Sequence, residues 1–462
     1  MKTVRIIAGL LLGILLLGSL PACRSREGIP LPQAPTAPLE APKKIPYDDV
    51  DYEALMKDTF EDAEEAKLEE LSYTESDGKI TLHAYRGSAT AVRLPENVVA
   101  IDEGAFENLS KLEILVLPDG VKEIGKGILQ GCTSLRALMT PLLSENASTQ
   151  GYLGYLFGAT SYRDNAKDVP ATLEMLCING GMTSLDAFAL YDCNDLLCVG
   201  FPPTLKELGS HALYGCLSLK YLPTAWLEVL GDHALATCPS FVSLTFGPSL
   251  REIGFGAFEG CIALCDMTLP FVGGSLGKND YMGYVFGAEV PDFAKGYYPS
   301  GLQRITLLST CTSLGNYAFF ECESLREIVL PQELRSIGVR AFADCDGLTS
   351  LELPQGLETI RENAFTGCDY LESVSLGESL TSIGVNAFYN CLSLREISLP
   401  STLGTLSASC FANCVSLQSV TLGGVTRVER NAFRNCVALT SVSASQSVKW
   451  EKGNDRAKEL LG

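Results

Sequence analysis

Apolar residues recur at fixed positions along most of this chain, and the pattern is most regular between Cys322 and Cys391. After Cys322, apolar residues stand at offsets 3, 6, 8, 12 and 15, an Ala-Phe pair follows at offsets 19 and 20, and Cys345 completes a period of 23 residues. The same offsets repeat after Cys345 and after Cys368. A self-similar period of this length predicts a solenoid, because one turn cannot bury its own apolar face and stacked turns build a continuous core.

The repeat extends over most of the sequence, although its spacing changes twice. Most successive cysteines at the repeat position are 22 or 23 residues apart, but two gaps of 61 residues each equal one regular repeat plus a long repeat of 38. The two long repeats share the motif Tyr-x-Gly-Tyr-x-Phe-Gly-Ala at 152–159 and 281–288, which indicates that a multi-repeat block was duplicated. The cysteines at the repeat position are Cys132, Cys193, Cys216, Cys238, Cys261, Cys322, Cys345, Cys368, Cys391, Cys414 and Cys436.

Each repeat has the pattern of a short strand followed by a tight return. Offsets 6 and 8 are apolar while offsets 5 and 7 are mostly polar, which is the alternation of a strand with one buried face. A Pro or Gly at offset 9 ends many of these strands, and the remaining stretch is too short for more than a helical or 3₁₀ turn. We therefore predict an α/β-type repeat solenoid over residues 72–444, with one short strand per turn forming a continuous sheet face.

The N-terminal segments indicate export. Residues 1–22 have a basic start followed by an apolar run shorter than a typical membrane span, as in a signal peptide. The run ends in Leu-Pro-Ala-Cys at 20–23, which resembles a bacterial lipobox and makes Cys23 the candidate lipidated residue; an ordinary secretory signal with an incidental Cys23 is the alternative. Residues 23–47 contain six prolines and predict an extended tether that lifts the repeats off a membrane.

Two further segments flank the repeats. Residues 48–71 carry eleven acidic residues against Lys57 and Lys67, and their apolar residues are spaced approximately as in a helix. A short amphipathic helix that caps the open first turn is one interpretation, since terminal turns need a polar cover. A cation-binding or partner-binding acidic helix is the other. Residues 445–462 are expected to form a C-terminal cap or tail.

Charge and cysteine content narrow the function classes. The formal net charge of -20 argues against a nucleic-acid partner, because phosphate binding needs clustered Lys and Arg. Seventeen cysteines in an exported protein would ordinarily suggest disulfides. Eleven of them share one repeat position, so we predict a ladder of thiols that fill small core sites. The better candidates for a bridge lie outside this position, namely Cys177, Cys198, Cys265, Cys311 and Cys410.

Motifs that resemble catalytic or metal sites are explained by other features of the chain. Residues 273–277 fit the nucleophile-elbow pattern, but no histidine follows His233 to complete a triad. His211 and His233 occupy equivalent positions of consecutive turns and should be neighbours, yet two histidines without a third ligand make a poor metal site. We therefore expect no enzyme activity, no metal and no cofactor.

The repeat template as a whole resembles a known class. Its Leu, Ile, Leu-Pro, Leu, Ile-Gly, Ala-Phe and Cys positions, kept in register over more than ten units, are similar to the BspA-like class of bacterial leucine-rich repeats. The long-repeat motif is similar to a variant within that class, and the resemblance covers about three quarters of the chain. It implies leucine-rich repeats and a surface or secreted protein, often an adhesin, that binds host or neighbouring-cell molecules without catalysis.

Binding chemistry is expected on the outward strand positions and in the long repeats. Short polar side chains dominate offsets 5 and 7 of the C-terminal repeats, which predicts either a solvated ladder or a flat hydrogen-bonding platform for an extended ligand. Tyrosines near the ends of the long repeats are contact candidates, because Tyr combines a large area with a polar tip. The candidate ligand-binding residues are Ser350, Glu352, Ser373, Ser375, Glu396, Ser398, Ser419, Thr421, Tyr162, Tyr297 and Tyr298. The motif tyrosines Tyr152, Tyr155, Tyr281 and Tyr284 are expected to pack in the core.

Two functions remain open from the sequence. The first is a lipid-anchored, non-catalytic surface solenoid that binds an extracellular protein or glycan. The second is a structural or self-associating envelope spacer. In both, the protein is exported and meets the membrane only through its N-terminal lipid anchor.

Overall fold

The computed structural model describes residues 33–35, 50–278 and 280–461. The predicted signal segment 1–22, Cys23 and the predicted tether 23–47, apart from residues 33–35, lie outside the described residues. In the described part of the chain, no helix combines the length and the apolar character needed to span a membrane.

One strand of three or four residues recurs in almost every turn, and these long strands form the first face of the solenoid. Neighbouring turns pair in parallel and in register, with Ser350 opposite Ser373 and Glu396 opposite Ser419. The long strands are Ala91–Arg93, Ile114–Val116, Ala137–Thr140, Met175–Ile178, Cys198–Gly200, Ser243–Thr245, Asp266–Leu269, Arg304–Leu307, Glu327–Val329, Ser350–Glu352, Ser373–Ser375, Glu396–Ser398, Ser419–Thr421 and Ser441–Ser443. The predicted parallel-strand repeat solenoid is confirmed.

A second set of strands shows that the expectation of one strand per turn was incomplete. The Ile at offset 15 and the residue before it form a two-residue strand that pairs with the same positions of the next turn. Such a strand is too short to leave an alternation in the sequence. The short strands are Glu123–Ile124, Ser184–Leu185, Glu207–Leu208, Val229–Leu230, Glu252–Ile253, Ser313–Leu314, Ser336–Ile337, Thr359–Ile360, Ser382–Ile383, Thr405–Leu406, Arg427–Val428 and Lys449–Trp450. The four-residue strand Val98–Ile101 pairs with the first of them.

The core between the two sets of strands contains a stack of phenylalanines. Phe342, Phe365 and Phe388 are fully buried, and their rings lie nearly parallel with centroids 5.2 and 5.0 Å apart. The stack continues to Phe319 on one side and to Phe411 on the other. Because each ring packs against the rings of both neighbouring turns, every turn depends on its neighbours for burial.

The repeat cysteines form the predicted ladder of buried free thiols. Nine of them donate a hydrogen bond to a carbonyl oxygen of the preceding turn, with Sγ–O distances of 3.0–3.2 Å. The five candidates for a bridge, from Cys177 to Cys410, are also free thiols, so that expectation was wrong. Burial raises the pKa of Cys132 to about 11 and the pKa of Cys322 to about 12. A thiol with so high a pKa is a poor nucleophile at neutral pH.

The N-terminal segment covers the solenoid in a way that the sequence did not predict. Strand Glu64–Glu65 pairs with Ala91–Arg93, and the hairpin Leu71–Ser76 and Lys79–Tyr85 pairs with Val98–Ile101, so strands close the first turn. A 3₁₀ turn spans Leu68–Glu70. Helix α1, Tyr52–Glu61, does not cover the end of the solenoid, because its apolar side instead packs on the outward side chains of several long strands.

The long repeats and the C-terminal end supply the remaining helices. The first long repeat contains 3₁₀ helices Leu153–Phe157 and Tyr162–Asp164 and the short helix α2, Asn165–Asp168; the second contains 3₁₀ helices Met282–Phe286 and Pro291–Gly296. The hydroxyls of Tyr152 and Tyr281 donate to the carbonyls of Ala159 and Ala288. Of the four motif tyrosines expected in the core, Tyr281 is buried, while Tyr152, Tyr155 and Tyr284 are half-buried. Helix α3, Asp455–Leu461, contacts strand Ser441–Ser443 near the last turn.

Candidate binding surfaces

The outward side chains of the C-terminal long strands form two straight columns. Parallel register places Ser350, Ser373, Glu396, Ser419 and Ser441 in the first column and Glu352, Ser375, Ser398, Thr421 and Ser443 in the second. These side chains are exposed, except that Ser419 is half-buried, while the residue between the two columns on each strand is buried. Neighbouring members of a column are therefore about 4.8 Å apart along the strand-pairing direction. We call this surface the polar face; it contains all eight strand residues predicted from the sequence as ligand-binding candidates.

The polar face offers both charged and neutral hydrogen-bonding groups. Serine and threonine hydroxyls donate and accept, and the carboxylates of Glu352 and Glu396 accept. Ser443 Oγ lies 3.3 Å from Thr421 Oγ1, so hydroxyls of one column can pair between turns. Beside the columns, Arg395 forms an ion pair with Glu372, with an N–O distance of 3.1 Å. The arrangement presents hydrogen-bond donors and acceptors to solvent at a regular spacing along the solenoid.

The same side of the N-terminal repeats is apolar and is covered by helix α1. Met56 and Phe60 are buried against a cluster that includes Ile114, Val116 and Ala137. Asp51 caps the helix, because its Oδ1 accepts a hydrogen bond from the Ala54 backbone nitrogen at 3.0 Å. The long-strand side of the solenoid is thus divided into a half occupied by its own helix and an open polar half.

Sequence reasoning missed this division, although a signal for it was present. The outward offsets 5 and 7 that carry Ser, Thr and Glu in the C-terminal repeats carry Ile114 and Val116 in one N-terminal repeat and Ala137 and Met139 in the next. A strand with apolar residues on both faces is typical of a sheet that is covered on both sides. Reading the outward positions of every repeat would have predicted a cover here.

The three candidate tyrosines differ in their surroundings. Tyr162 is half-buried, and its ring stacks on Phe188 with centroids 4.3 Å apart. Tyr298 packs against the core, and its hydroxyl donates to the Phe320 carbonyl at 3.2 Å; burial raises its pKa well above the ordinary value. Tyr297 has 43% of its surface exposed. Of the three, Tyr297 presents the most accessible ring, while Tyr162 and Tyr298 use most of theirs in packing.

The histidines and the elbow-like motif have structural surroundings. His211 and His233 are neighbours with ring centroids 5.0 Å apart, as predicted, and burial followed by the charge of His233 lowers the pKa of His211. In the described ranges, no group of three or more His, Cys, Asp or Glu side chains is arranged to hold a metal ion. Ser275 lies in a tight turn bridged to Lys278 and not between a strand and a helix, which is the setting a nucleophile elbow requires.

Comparisons with known proteins place the repeats in a recognised class. The family model described as the BspA type leucine rich repeat region, with six copies, matches residues 55–151, 170–282, 294–417 and 336–452. Similar solved structures include a leucine-rich repeat protein from Bacteroides ovatus, which is 20% identical over 84% of this chain and 99% of that chain, with a TM-score of 0.34. A leucine rich cell surface protein from Faecalibacterium prausnitzii A2-165 is 17% identical over 86% of this chain and 97% of that chain, with a TM-score of 0.30. A comparison with curated proteins finds no match.

Proposed function

Because this chain belongs to the BspA-type leucine-rich repeat family, whose model matches most of its length, we propose that it is an exported, lipid-anchored surface protein that captures an extracellular protein or glycan on its polar face. Leucine-rich repeat proteins are typically non-enzymatic interaction scaffolds. One of the similar structures is itself described as a cell surface protein. The proposed role is therefore binding without catalysis.

The division of the long-strand side supports the choice of the polar face. Where the outward positions are apolar, the chain covers them with helix α1. Where they are polar, from Ser350 to Ser443, the two columns stay open in the folded chain. A row of hydroxyls and carboxylates at a regular spacing of about 4.8 Å suits an extended chain, which can repeat the same hydrogen bond at each turn.

Lipid anchoring rests on the N-terminal sequence. The Leu-Pro-Ala-Cys tetrapeptide at 20–23 follows a basic start and an apolar run, and Cys23 would carry the lipid. The proline-rich segment 23–47 would then hold the solenoid away from the membrane. Mass spectrometry of the membrane fraction tests this step: a lipid adduct on Cys23 is expected, and a Cys23→Ser chain should appear in the soluble fraction instead.

The binding role is tested by capture from defined partners. A soluble Cys23→Ser chain is passed over immobilised matrix proteins, mucins and cell-wall glycans at physiological salt. We expect saturable capture by one partner and at least tenfold weaker capture of a Glu396→Arg, Ser398→Arg variant, because two long cations then stand in the middle of both columns. Thr405→Arg, an exposed change on the short strand of the same turn, is the matched control and should bind as the parent does.

Two outcomes would count against the proposal. Equal capture of the parent and of the polar-face variant would place the contact elsewhere on the molecule. A chain that captures none of the partners and self-associates instead would favour the envelope spacer.

A further inference from the structure

The second long repeat exposes an apolar patch formed by Val290, Phe293 and Tyr297. Their exposed fractions are 43%, 70% and 43%, although all three side chains are large and apolar or aromatic. They lie on and beside the 3₁₀ helix Pro291–Gly296. We call this surface the Phe293 patch. Leaving a Phe side chain in water forgoes the stabilisation that its burial would contribute, so the patch is not explained by the stability of the free chain.

The first long repeat shows that the fold does not require this patch. A shift of 129 residues aligns the two motifs and places Ser161, Asp164 and Asp168 at the positions of the three patch residues. The residue just after the second of these positions packs inward on a glycine of the motif in both copies. Asn165 lies against Gly154, and Ala294 lies against Gly283. One copy therefore builds a helical segment at this place with polar residues, where the other presents Val, Phe and Tyr.

In the first copy the polar residues are used locally. Asp164 accepts hydrogen bonds from the hydroxyls of Thr160 and Ser161, each at 3.1 Å, and these bonds lower its pKa. In the second copy the aligned side chain is Phe293, which extends into solvent. Two copies of one duplicated unit thus share their inward packing and differ in chemistry at these outward positions, so the fold itself does not require aromatic side chains there.

The charge next to the Phe293 patch indicates what kind of partner it fits. Lys295, on the same 3₁₀ helix, forms an ion pair in which its Nζ lies 2.6 Å from Glu323 Oε1. Glu323 in turn adds to the electrostatic repulsion felt by Glu321, Asp344 and Asp346. Asp369 adjoins these carboxylates, since its backbone nitrogen donates to Asp346 Oδ1 at 3.1 Å. Lys295 offsets part of the repulsion at Glu321, Asp344 and Asp346, and Arg340 does so at Asp344. Five carboxylates against these two cations make the area beside the patch acidic.

We propose that the Phe293 patch is the docking surface for a basic polypeptide segment of a protein partner, whose apolar side chains pack on Phe293 and Tyr297 while its Lys or Arg side chains meet the neighbouring carboxylates. Aromatic side chains are enriched at protein contact surfaces, and a Lys or Arg side chain can lie on an aromatic ring with its charged end free for the carboxylates. The inference rests on the proposed function in one respect, that the chain captures a protein partner, but it assigns a surface separate from the polar face.

The test uses a fluorescent peptide of alternating Lys and Leu with one Trp, and fluorescence anisotropy with the Cys23→Ser chain. Two control peptides replace every Lys with Gln or with Glu. We expect the basic peptide to bind, and the neutral and acidic peptides to bind at least tenfold more weakly. Added salt should weaken binding, because part of the attraction is between charges.

The decisive variant gives the second copy the acidic character of the first, Phe293→Asp together with Tyr297→Asp. It adds two negative charges, so a non-specific attraction between a chain of net charge -20 and a basic peptide would stay equal or grow stronger. Specific docking on the rings predicts the opposite, a loss of tenfold or more. Val437→Asp, at an exposed position several turns along the chain, is the matched control and should leave the affinity unchanged. Glu323→Gln with Asp346→Asn should weaken binding and reduce its salt dependence.

Each result bears on one of the two surfaces. No binding of the basic peptide to the parent, or equal binding by the double Asp variant, would overturn the assignment of the Phe293 patch. Partner capture that is lost in the Glu396→Arg, Ser398→Arg variant but unchanged in the double Asp variant would keep the polar face and remove the patch. Peptide binding that depends on Phe293, together with no capture of any immobilised partner by the polar face, would keep the Phe293 patch and remove the polar face.

Discussion

Replacing Phe60 with Ala should release helix α1 while leaving the repeats folded. The Phe60 side chain is 3% exposed and packs with Met56 on the apolar long-strand side around Ile114 and Val116. Truncating a buried Phe to Ala costs about 3–5 kcal/mol. Helix α1 has ten residues, and a helix of that length is marginal in water without tertiary packing. Without the Phe60 contact, the helix keeps Met56 as its one large buried apolar side chain, and we expect it to detach.

Hydrogen exchange measures this release directly. In the parent, backbone amides of 52–61 should be protected, and in Phe60→Ala they should exchange at least a hundredfold faster, while amides of the strands from Ser350 to Ser443 keep their protection. Leu55→Ala, an exposed change on the same helix, is the control and should change protection by less than threefold. Unchanged protection of 52–61 in Phe60→Ala, or loss of protection throughout the repeats, would refute the view that α1 is a separate cover held by this contact.

Three further predictions concern the phenylalanine stack, the buried thiols and Asp369. Phe365→Ala removes the middle ring of the phenylalanine stack and should destabilise the chain by about 3–5 kcal/mol, measured by urea unfolding, whereas Phe365→Leu should cost less; equal costs would contradict the stacking account. The buried thiols should resist alkylation of the native chain at pH 8 and react fully in urea. The pKa of Cys132 is raised to about 11, so its contribution to stability is complete below the unfolded-state pKa near 9 and is lost as pH rises through 11. Alkaline unfolding should therefore begin in that range. Burial, followed by repulsion from Asp346, raises the pKa of Asp369 to about 6, so the contribution of this carboxyl to stability is favourable at low pH and is lost as pH rises through 6. Asp369→Asn should therefore stabilise the chain by about 1 kcal/mol at pH 7.5, after allowance for solvent screening, and not at pH 4. Equal effects of the substitution at the two pH values would contradict this.

The repeated part of the fold could be predicted from the sequence because every repeat restates the same constraint. Stacking the turns in register buries the apolar residues at offsets 3, 6, 8, 12 and 15 of all repeats at once. Phe365 and Cys368 accordingly lie in the interior, as their repeat positions predict. The short strands were missed because two residues, such as Thr359 and Ile360, carry no alternation of their own. Their strand conformation comes from pairing with the next turn.

The positions of unique segments could not be predicted in the same way. Helix α1 was recognised as a helix, but its site depends on a match between Phe60 and apolar outward residues more than 50 positions away, which no local pattern specifies. The polar columns followed directly from offsets 5 and 7. The tyrosines did not, because Tyr297 and Tyr298 are adjacent in sequence yet one is largely exposed and the other packs against the core beside Phe286.

The division of the long-strand side into a covered and an open half is the claim on which the proposed function depends, and thiol labelling tests it most directly. In a Cys23→Ser chain, Ser375→Cys and Val116→Cys place a reporter at the same outward offset of an open and a covered repeat. Labelling is followed by mass spectrometry at the introduced residue, because native Cys177 and Cys198 also lie under helix α1. A maleimide should label the Ser375→Cys chain at least a hundredfold faster than the Val116→Cys chain, and adding Phe60→Ala should bring the second rate close to the first. Equal labelling rates without Phe60→Ala would contradict the account, because the polar face would then differ from the N-terminal repeats in chemistry but not in accessibility.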